Sequence, residues 1–354
     1  MAETAGSPHA RDTLRMTPPR ALITGITGMV GSHLAEYLLA ETGWEVHGLY
    51  RWRSPLDNIA DLLDRANRGD RVHLHYGDLR DSVAVDAVVA AVKPDYVFHL
   101  AAQSFPRTSF DSPLDTYETN VQGTTRVLDA LRRHAPDAAI HVCSSSEVFG
   151  RVPRERLPID ESCPFHPASP YAISKVGTDL IGRFYAEAYG MQVMVTRMFT
   201  HTGPRRGDVF AESTFAKQIA MIEHGLTEQP VVRVGNLDSL RTVADVRDAV
   251  RAYHLLLTVN PQPGTAYNIG GTHTCTVRDI LDALIAQSTR KDDITVEVDP
   301  GRLRPVDADL QVPDTRKFQT HTGWLPEIPF ERTMADLLAY WRARVAAGGR
   351  FLVR

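Results

Sequence analysis

The sequence predicts an α/β protein whose larger part is a doubly wound, mostly parallel sheet and whose C-terminal part is a smaller α/β lobe. Three observations carry this. A glycine-rich turn, Gly25-Ile26-Thr27-Gly28-Met29-Val30-Gly31, joins an apolar strand to a helical stretch. Strand and helix patterns then alternate from residue 21 to residue 143, the order that builds a parallel sheet covered on both faces. After Gly207 the pattern changes.

The first strand, 21–24, runs straight into the glycines, and 32–40 has helical periodicity. In that context Gly25 permits the tight turn, Gly28 lets backbone approach a pyrophosphate and Gly31 lets the helix pack closely. The helix N-terminus then presents unpaired N–H groups to phosphate, as in a Rossmann-type dinucleotide site. The second strand, 45–50, ends in Arg51-Trp52-Arg53. An NAD site usually places an acid here for the ribose hydroxyls; arginines favour a 2'-phosphate, so NADP is expected, unless Arg51 and Arg53 are only surface charges.

A third strand at 72–76 leads through Gly77-Asp78-Leu79 into a helix at 82–92. Asp78 is placed either to accept from an adenine amino group or to cap that helix. The fourth strand, 96–100, ends in Ala101-Ala102-Gln103-Ser104, small residues that admit a cofactor with Gln103 and Ser104 open to a ligand. His99, inside that strand, reads as a satisfied core residue. A helix at 116–134 and a fifth strand at 139–143 complete the alternation.

The fifth strand delivers Ser144-Ser145-Ser146-Glu147, and after a proline-rich loop at 153–170 comes Tyr171-Ala172-Ile173-Ser174-Lys175. A spacing of four puts Tyr171 and Lys175 on one helix face, with Pro170 presetting the first turn. The lysine charge is expected to lower the phenol from about 10 and make it a usable proton carrier. Ser145 supplies a hydroxyl and Glu147 a second proton-transfer group. A strand at 192–197, helices at 210–224, 243–258, 276–288 and 330–345, short strands at 231–234 and 294–298, and a loop at 235–241 follow. Tyr267-Asn268-Ile269-Gly270-Gly271 reads as a strand returning to the main sheet. The expected division is residues 1–19 as a disordered leader, 20–200 as mainly the NADP-binding domain, 201–345 as mainly the second lobe with 243–271 rejoining the sheet, and 346–354 as a tail.

Bulk properties narrow the class. The chain has 354 residues, with 39 Lys plus Arg against 43 Asp plus Glu and a formal charge of -4, which gives no support to a nucleic-acid surface. Three cysteines, Cys143, Cys163 and Cys275, show neither metal-ligand spacing nor a disulfide framework, so no metal is expected and a reducing cytoplasm is the simplest compartment. No run approaches the roughly 20 apolar residues that span a membrane.

Together, Gly25 to Gly31, the Ser-Ser-Ser-Glu and Tyr-Ala-Ile-Ser-Lys pair, and Asn268-Ile269-Gly270-Gly271 resemble the extended short-chain dehydrogenase/reductase family. Ala21 to Leu39, Val46 to Arg51, His75 to Leu79, Leu100 to Ser104, Ser169 to Lys175 and Pro204 to Asp208 are similar to its GDP-mannose 4,6-dehydratase branch. Ala216 to Ile219, Val234 to Arg241 and Thr322 to Phe330 also resemble GDP-4-keto-6-deoxymannose reductases, so both reactions stay open. The resemblance implies Ser145, Glu147, Tyr171 and Lys175 as catalytic residues. It implies a dinucleotide held by Gly25, Thr27, Gly28, Met29, Val30, Gly31, Arg51, Arg53, Asp78, Leu79, Leu100, Ala101 and Ala102, with Tyr171 and Lys175. For the GDP-sugar it implies Gln103, Ser104, Thr200, Arg205, Lys217, Val234, Asn236, Arg241 and Arg304.

The chain departs from the family pattern in three places. Ser145 stands where threonine is usual, keeping the hydroxyl without the methyl that fixes its rotamer. Thr200 replaces an asparagine and removes an amide from a substrate contact. Pro55 to Ile59 lacks the arginine by which some dehydratases reach a neighbouring subunit, so a homodimer is expected before a dimer of dimers. Arg197, Arg205, Arg206, Arg241 and Arg304 are candidates to converge on a substrate diphosphate. A non-catalytic dinucleotide sensor on the same scaffold is the reading from another class; it leaves Ser145, Glu147, Tyr171 and Lys175 without a use.

Overall fold

The computed structural model describes residues 17–303 and 309–348, so most of the expected leader (1–16), most of the expected tail (349–354) and Arg304 lie outside the described residues. β1 (Arg20–Thr24) is followed by α1 (Met29–Glu41), β2 (Glu45–Tyr50), α2 (Ala60–Arg68), β3 (Val72–Tyr76), α3 (Ser82–Val92) and β4 (Tyr96–His99). Next come α4 (Pro106–Asp111), α5 (Pro113–Tyr117), α6 (Gly123–His134), β5 (Ala139–Cys143), α7 (Pro170–Tyr189) and β6 (Gln192–Met198). The remainder is β7 (His201–Thr202), α8 (Ala211–Glu223), β8 (Val231–Val234), β9 (Leu240–Asp245), α9 (Val246–Thr258), β10 (Ala266–Ile269) and β11 (His273–Thr276). It closes with α10 (Val277–Ala286), β12 (Thr295–Val298), β13 (Leu310–Gln311), α11 (Arg316–Thr322) and α12 (Phe330–Ala346).

Seven strands form the large sheet in the order β10-β6-β5-β4-β1-β2-β3, and every adjacent pair is parallel. The order turns back at β1 and β4, which is where such sheets open a crevice at their carboxyl ends. Strand residues alternate between faces, and the two faces bury different helices. Ala21 and Ile23 pack with Leu34 and Leu38 of α1 and with Tyr253, Leu256 and Leu257 of α9. Leu22 and Leu49 pack with Val85 and Val88 of α3, Leu128 and Leu131 of α6, and Tyr185 of α7. Fully burying each such large apolar side chain is worth about 1.5–3 kcal/mol.

Local chemistry sets the helix ends. Asp81 caps α3 through Val83 and Ala84 N–H, so the cap proposed for Asp78 belongs three residues later. Ser169 accepts from Ala172 N–H, Pro170 occupies the first turn and Gly190 ends α7 in the left-handed region. Thr276 and Asp279 make a reciprocal capping box on α10.

Three expectations are corrected. The helix expected over 243–258 starts at Val246: Asp245 is its cap, accepting from Arg247 N–H, and 240–245 is strand because β9 pairs with β7, β11 and β13. The helix expected over 116–134 is instead a stretch from Pro113 to His134 with a π-turn over Glu118–Gln122. The strand placed over 96–100 ends at His99. β10 does join the main sheet, beside β6. The second lobe has its own core, in which Phe215 and Ile219 of α8 meet Ile280 and Leu284 of α10 and Leu337 and Trp341 of α12. No helix among the described residues is long and apolar enough to cross a membrane.

Candidate active site

The glycine turn is built for close approach. Gly25 has φ +76°, and a Cβ there would lie 2.9 Å from Ala101 Cα. A Cβ on Gly31 would lie 2.3 Å from the Gly25 carbonyl oxygen, so α1 can leave the turn this closely only without a side chain. Gly28 caps α1 with no side-chain hydrogen bond and no acid follows in the first turn, which leaves the helix N-terminus suited to an anion. Asn58, not expected from the sequence, donates from Nδ2 to the Thr27 carbonyl at 2.9 Å and braces the turn. Met29 is buried and Val30 and Leu100 are partly buried against the α1 face, while Leu79 is buried on the opposite face.

Arg51 and Arg53 are exposed directly after β2, with the Arg53 guanidinium 4.4 Å from the Trp52 ring centre. Asp78 pairs with Arg80 at 2.8 Å, and that hydrogen bond holds its carboxyl below the usual range. His99 accepts its core assignment: its ring nitrogens lie 2.9 Å from Thr24 Oγ1 and 3.0 Å from Thr124 Oγ1, and burial pushes it down to about 3.

Ser145, Glu147, Tyr171 and Lys175 come together at the carboxyl end of β5. Ser144 N–H donates to the Thr196 carbonyl at 2.8 Å, and Ser144 Oγ to the Lys175 carbonyl at 3.1 Å, so the turn is tied to both β6 and α7. Ser145 then caps a short 3-10 turn, its Oγ accepting from Glu147 N–H at 3.2 Å. Tyr171 and Lys175 are both buried. Burial pushes the Tyr171 phenol up; the Ser145 hydrogen bond and the Arg206 charge oppose this, while Cys143 and Glu147 add to it. This reverses the expected lowering by Lys175. The physical reason is burial of the phenol, while Lys175 Nζ is engaged elsewhere, donating to the Cys143 carbonyl at 2.7 Å and lying 6.0 Å from the Tyr171 ring centre. Burial also lowers Lys175 itself.

His201 is a residue that sequence reasoning missed, and Arg206, expected at a substrate diphosphate, acts on the Tyr171 phenol. Arg206 Nε donates to Glu212 Oε1 at 3.1 Å, and its guanidinium lies 3.5 Å from the Phe210 ring centre. Its charge acts on both Tyr171 and His201; burial first, then Arg206, holds His201 down to about 4.

The substrate set is more dispersed. Asn120, in the π-turn, accepts from Gln103 N–H at 2.8 Å and donates to the Gln103 carbonyl and to Ser174 Oγ, each at 2.9 Å. The loop carrying Gln103 and exposed Ser104 is thereby fixed to α7, a use consistent with π-turns near functional sites. The Gln103 amide itself closes its own loop through Phe105 N–H, the Phe105 carbonyl and Thr116. Arg205 pairs with Glu36 of α1 at 2.6 Å. Lys217 is buried and pairs with Asp208 at 2.9 Å. Asn236 accepts from Asp238 N–H and donates to Ser239, Val234 is buried in the second core, and Arg241 Nη1 donates to the Leu240 carbonyl. The Thr200 carbonyl accepts from Ala244 N–H. Arg197 does not converge with them: it is buried and forked onto Asp179 at 2.8 and 3.2 Å.

Residues 22–337 match the family model described as GDP-mannose 4,6 dehydratase. The GDP-mannose 4,6-dehydratase of Yersinia enterocolitica is 34% identical, over 90% of this chain and 93% of that protein. Among solved structures, RMD from Pseudomonas aeruginosa complexed with NADPH superposes with a TM-score of 0.76 at 29% identity, over 92% of this chain and 99% of that one. DesIV, a dTDP-glucose 4,6-dehydratase from Streptomyces venezuelae with NAD and TYD bound, gives 0.79 at 27% identity, over 93% and 98%. With the glycine turn, the parallel sheet and the Tyr171–Lys175 helix in place, this likeness along nearly the whole chain makes it a member of the GDP-mannose 4,6-dehydratase family, within the extended short-chain dehydrogenases/reductases.

Proposed function

We propose that the protein converts GDP-D-mannose into GDP-4-keto-6-deoxy-D-mannose with an internally recycled NADP. The observation that carries this reading is the carboxylate of Glu147 two residues from Ser145 and electrostatically coupled to Tyr171. Oxidising or reducing a sugar position calls for the tyrosine, lysine and hydroxyl; removing water across C5 and C6 calls for a further proton carrier.

The residues present fit a dinucleotide. Side chains at Gly25 and Gly31 would fill the cradle at α1, and no side chain caps that helix. Gly25 and Thr27 to Gly31 would hold the diphosphate, Ala101 and Ala102 admit the ring, and exposed Arg51 and Arg53 favour the 2'-phosphate of NADP. When bound, the nicotinamide accepts hydride from the sugar C4 and returns it to C6. Tyr171 takes the proton of the 4-hydroxyl while Ser145 hydrogen-bonds the same oxygen. Glu147 takes the C5 proton, acidified by the C4 ketone, and passes it to the departing 6-hydroxyl. The proton held by Tyr171 is then available for C5, so the sugar loses only water. Lys217, Asn236 and Arg241 of the second lobe are proposed contacts of the GDP moiety.

A homodimer is proposed as well. Ile173, Leu180 and Phe184 are 48%, 48% and 53% exposed on α7, at spacings of seven and four that put them on one helix face. A cytoplasmic setting goes with the free cysteines.

The reductase reading is favoured by one observation, the buried phenol held protonated, as a donor to a C4 ketone needs. Incubation with GDP-mannose and catalytic NADP, without added reductant, separates the two. Formation of a 4-keto-6-deoxy sugar supports dehydration; no product, together with NADPH oxidation when the keto sugar is supplied, assigns reduction. Tight dinucleotide binding without hydride transfer to any nucleotide sugar would return the sensor reading.

A further inference from the structure

The outer strands of the large sheet carry a histidine cluster that the sugar chemistry does not use. β2 and β3 run in parallel with His47 opposite His73 and Leu49 opposite His75. Residues two apart share a sheet face, so Glu45 and His47 stand beside His73 and His75. The His47 and His73 rings stack with centres 4.6 Å apart, and those of His47 and His75 with centres 5.4 Å apart.

The hydrogen bonding of His47 gives the cluster a direction. Nδ1 shares a hydrogen bond with His75 Nε2 at 3.1 Å. With His75 accepting, His47 keeps its proton on Nδ1 and offers a lone pair at Nε2. That Nε2 is buried without a hydrogen-bond partner. Glu45 Oε2 lies 3.8 Å away, too far for a hydrogen bond, and Arg20 Nε lies 3.7 Å from the same oxygen. One ligand atom each from Glu45, His47 and His73 lies within 4.8 Å of the others. Two ligands at about 2.0–2.1 Å from a tetrahedral ion stand about 3.4 Å apart, so small rotamer shifts would bring all three to one centre. Glu45 keeps a side-chain exposure of 32%, which leaves an entry from solvent.

We propose that Glu45, His47 and His73 form a divalent transition-metal site of the zinc type, with His47 binding through Nε2 and His75 orienting it through Nδ1. Two imidazoles and a carboxylate suit this class of ion, and three protein ligands leave a fourth position for water. The His47–His75 bond is the kind of outer contact that fixes a ligating ring. The site lies on the first half of β2, whereas the glycine turn and Arg51 lie at the strand's other end. The ion therefore clips β2 to β3 and takes no part in hydride or proton transfer.

The test uses the full chain without a histidine tag, stripped with EDTA and compared by circular dichroism with its variants. Calorimetric titration with Zn2+ should give one site per chain, weakened at least about tenfold by His73→Gln and by Glu45→Gln. His75→Ala should keep one site but weaken it about 10-fold. Co2+ should give the intense visible bands of a tetrahedral site in the wild type and lose them in either ligand variant. Zn2+ should raise the wild-type melting temperature and leave that of His73→Gln unchanged. Equal Zn2+ affinity in the wild type and both ligand variants, or a Co2+ spectrum like that of the aquo ion, would overturn the assignment. Partly exposed Glu45 provides the variant least disturbing to the fold.

Discussion

Lys175 Nζ donates to the Cys143 carbonyl oxygen at 2.7 Å, and so ties α7 to the last residue of β5. The lysine is thus a strut for the turn that carries Ser145 as well as a buried cation. Lys175→Met leaves a buried carbonyl without its donor, at a cost of about 1–3 kcal/mol, and should lower both the melting temperature and kcat. Tyr171→Phe should lower kcat by about 100-fold or more with little change in melting. Parallel melting and turnover measurements on the two variants check the distinction; equal loss of stability in both would contradict it.

Arg206 supplies positive charge to the buried Tyr171 phenol from a different element. Arg206→Met alone strands Glu212 and should cost about 3–5 kcal/mol. The double change Arg206→Met with Glu212→Gln removes the charge without stranding its partner. Because Arg206 opposes the upward push of burial, its loss should raise the phenol pKa further and move the ascending limb of the dehydration pH–rate profile to higher pH. An unmoved limb in a folded double variant would detach Arg206 from the phenol.

Arg197 and Asp179 form a buried ion pair beside Phe149 and Phe165, with side chains 3% and 0% exposed. Asp179→Ala should destabilise the protein by about 3–5 kcal/mol, since it leaves an uncompensated guanidinium. The KM for the GDP-sugar should stay near the wild-type value at a temperature where the variant is folded. A large rise in KM with unchanged melting would put Arg197 back at the substrate.

His99 and His141 are buried and held at about 3. Since the folded value is below the ordinary 6.5, their stabilising contribution is complete above that pH and is lost as pH falls toward 3. Between pH 7 and pH 5 each should account for a loss of about 2 kcal/mol. Urea unfolding at pH 7, 6 and 5 measures this, and a flat stability profile would refute it.

Much of this arrangement is legible before any coordinates. β3, α3, β5 and β8 fall on the residues their apolar runs and flanking turns indicate. The pairing of Tyr171 with Lys175 follows from helix periodicity, and the turn after β5 from strand length. Residues 243–245 mislead because Val243, Val246 and Val250 also fit a helical period, while pairing with β7 and β11 makes this stretch strand. β11 and β13 have no pattern of their own; their partner β9 defines them. The charge of Arg206 reaches Tyr171 from a different stretch of the chain, a proximity that no local pattern records. The juxtaposition of His47 and His73 depends on strand register, which no local motif records.

The place of β10 has a consequence for how the chain is made. Among the described residues β6 gains its outer neighbour only when 266–269 has been added, and α9 supplies part of the core that covers the sheet. A fragment stopping near residue 200 would expose the backbone groups of β6, a strand whose residues from Val193 to Met198 are all buried in the complete protein. Open apolar edges recruit other chains. Such a fragment should therefore aggregate rather than behave as a separable dinucleotide-binding module. During synthesis the same edge remains in need of protection until the second half of the chain has emerged.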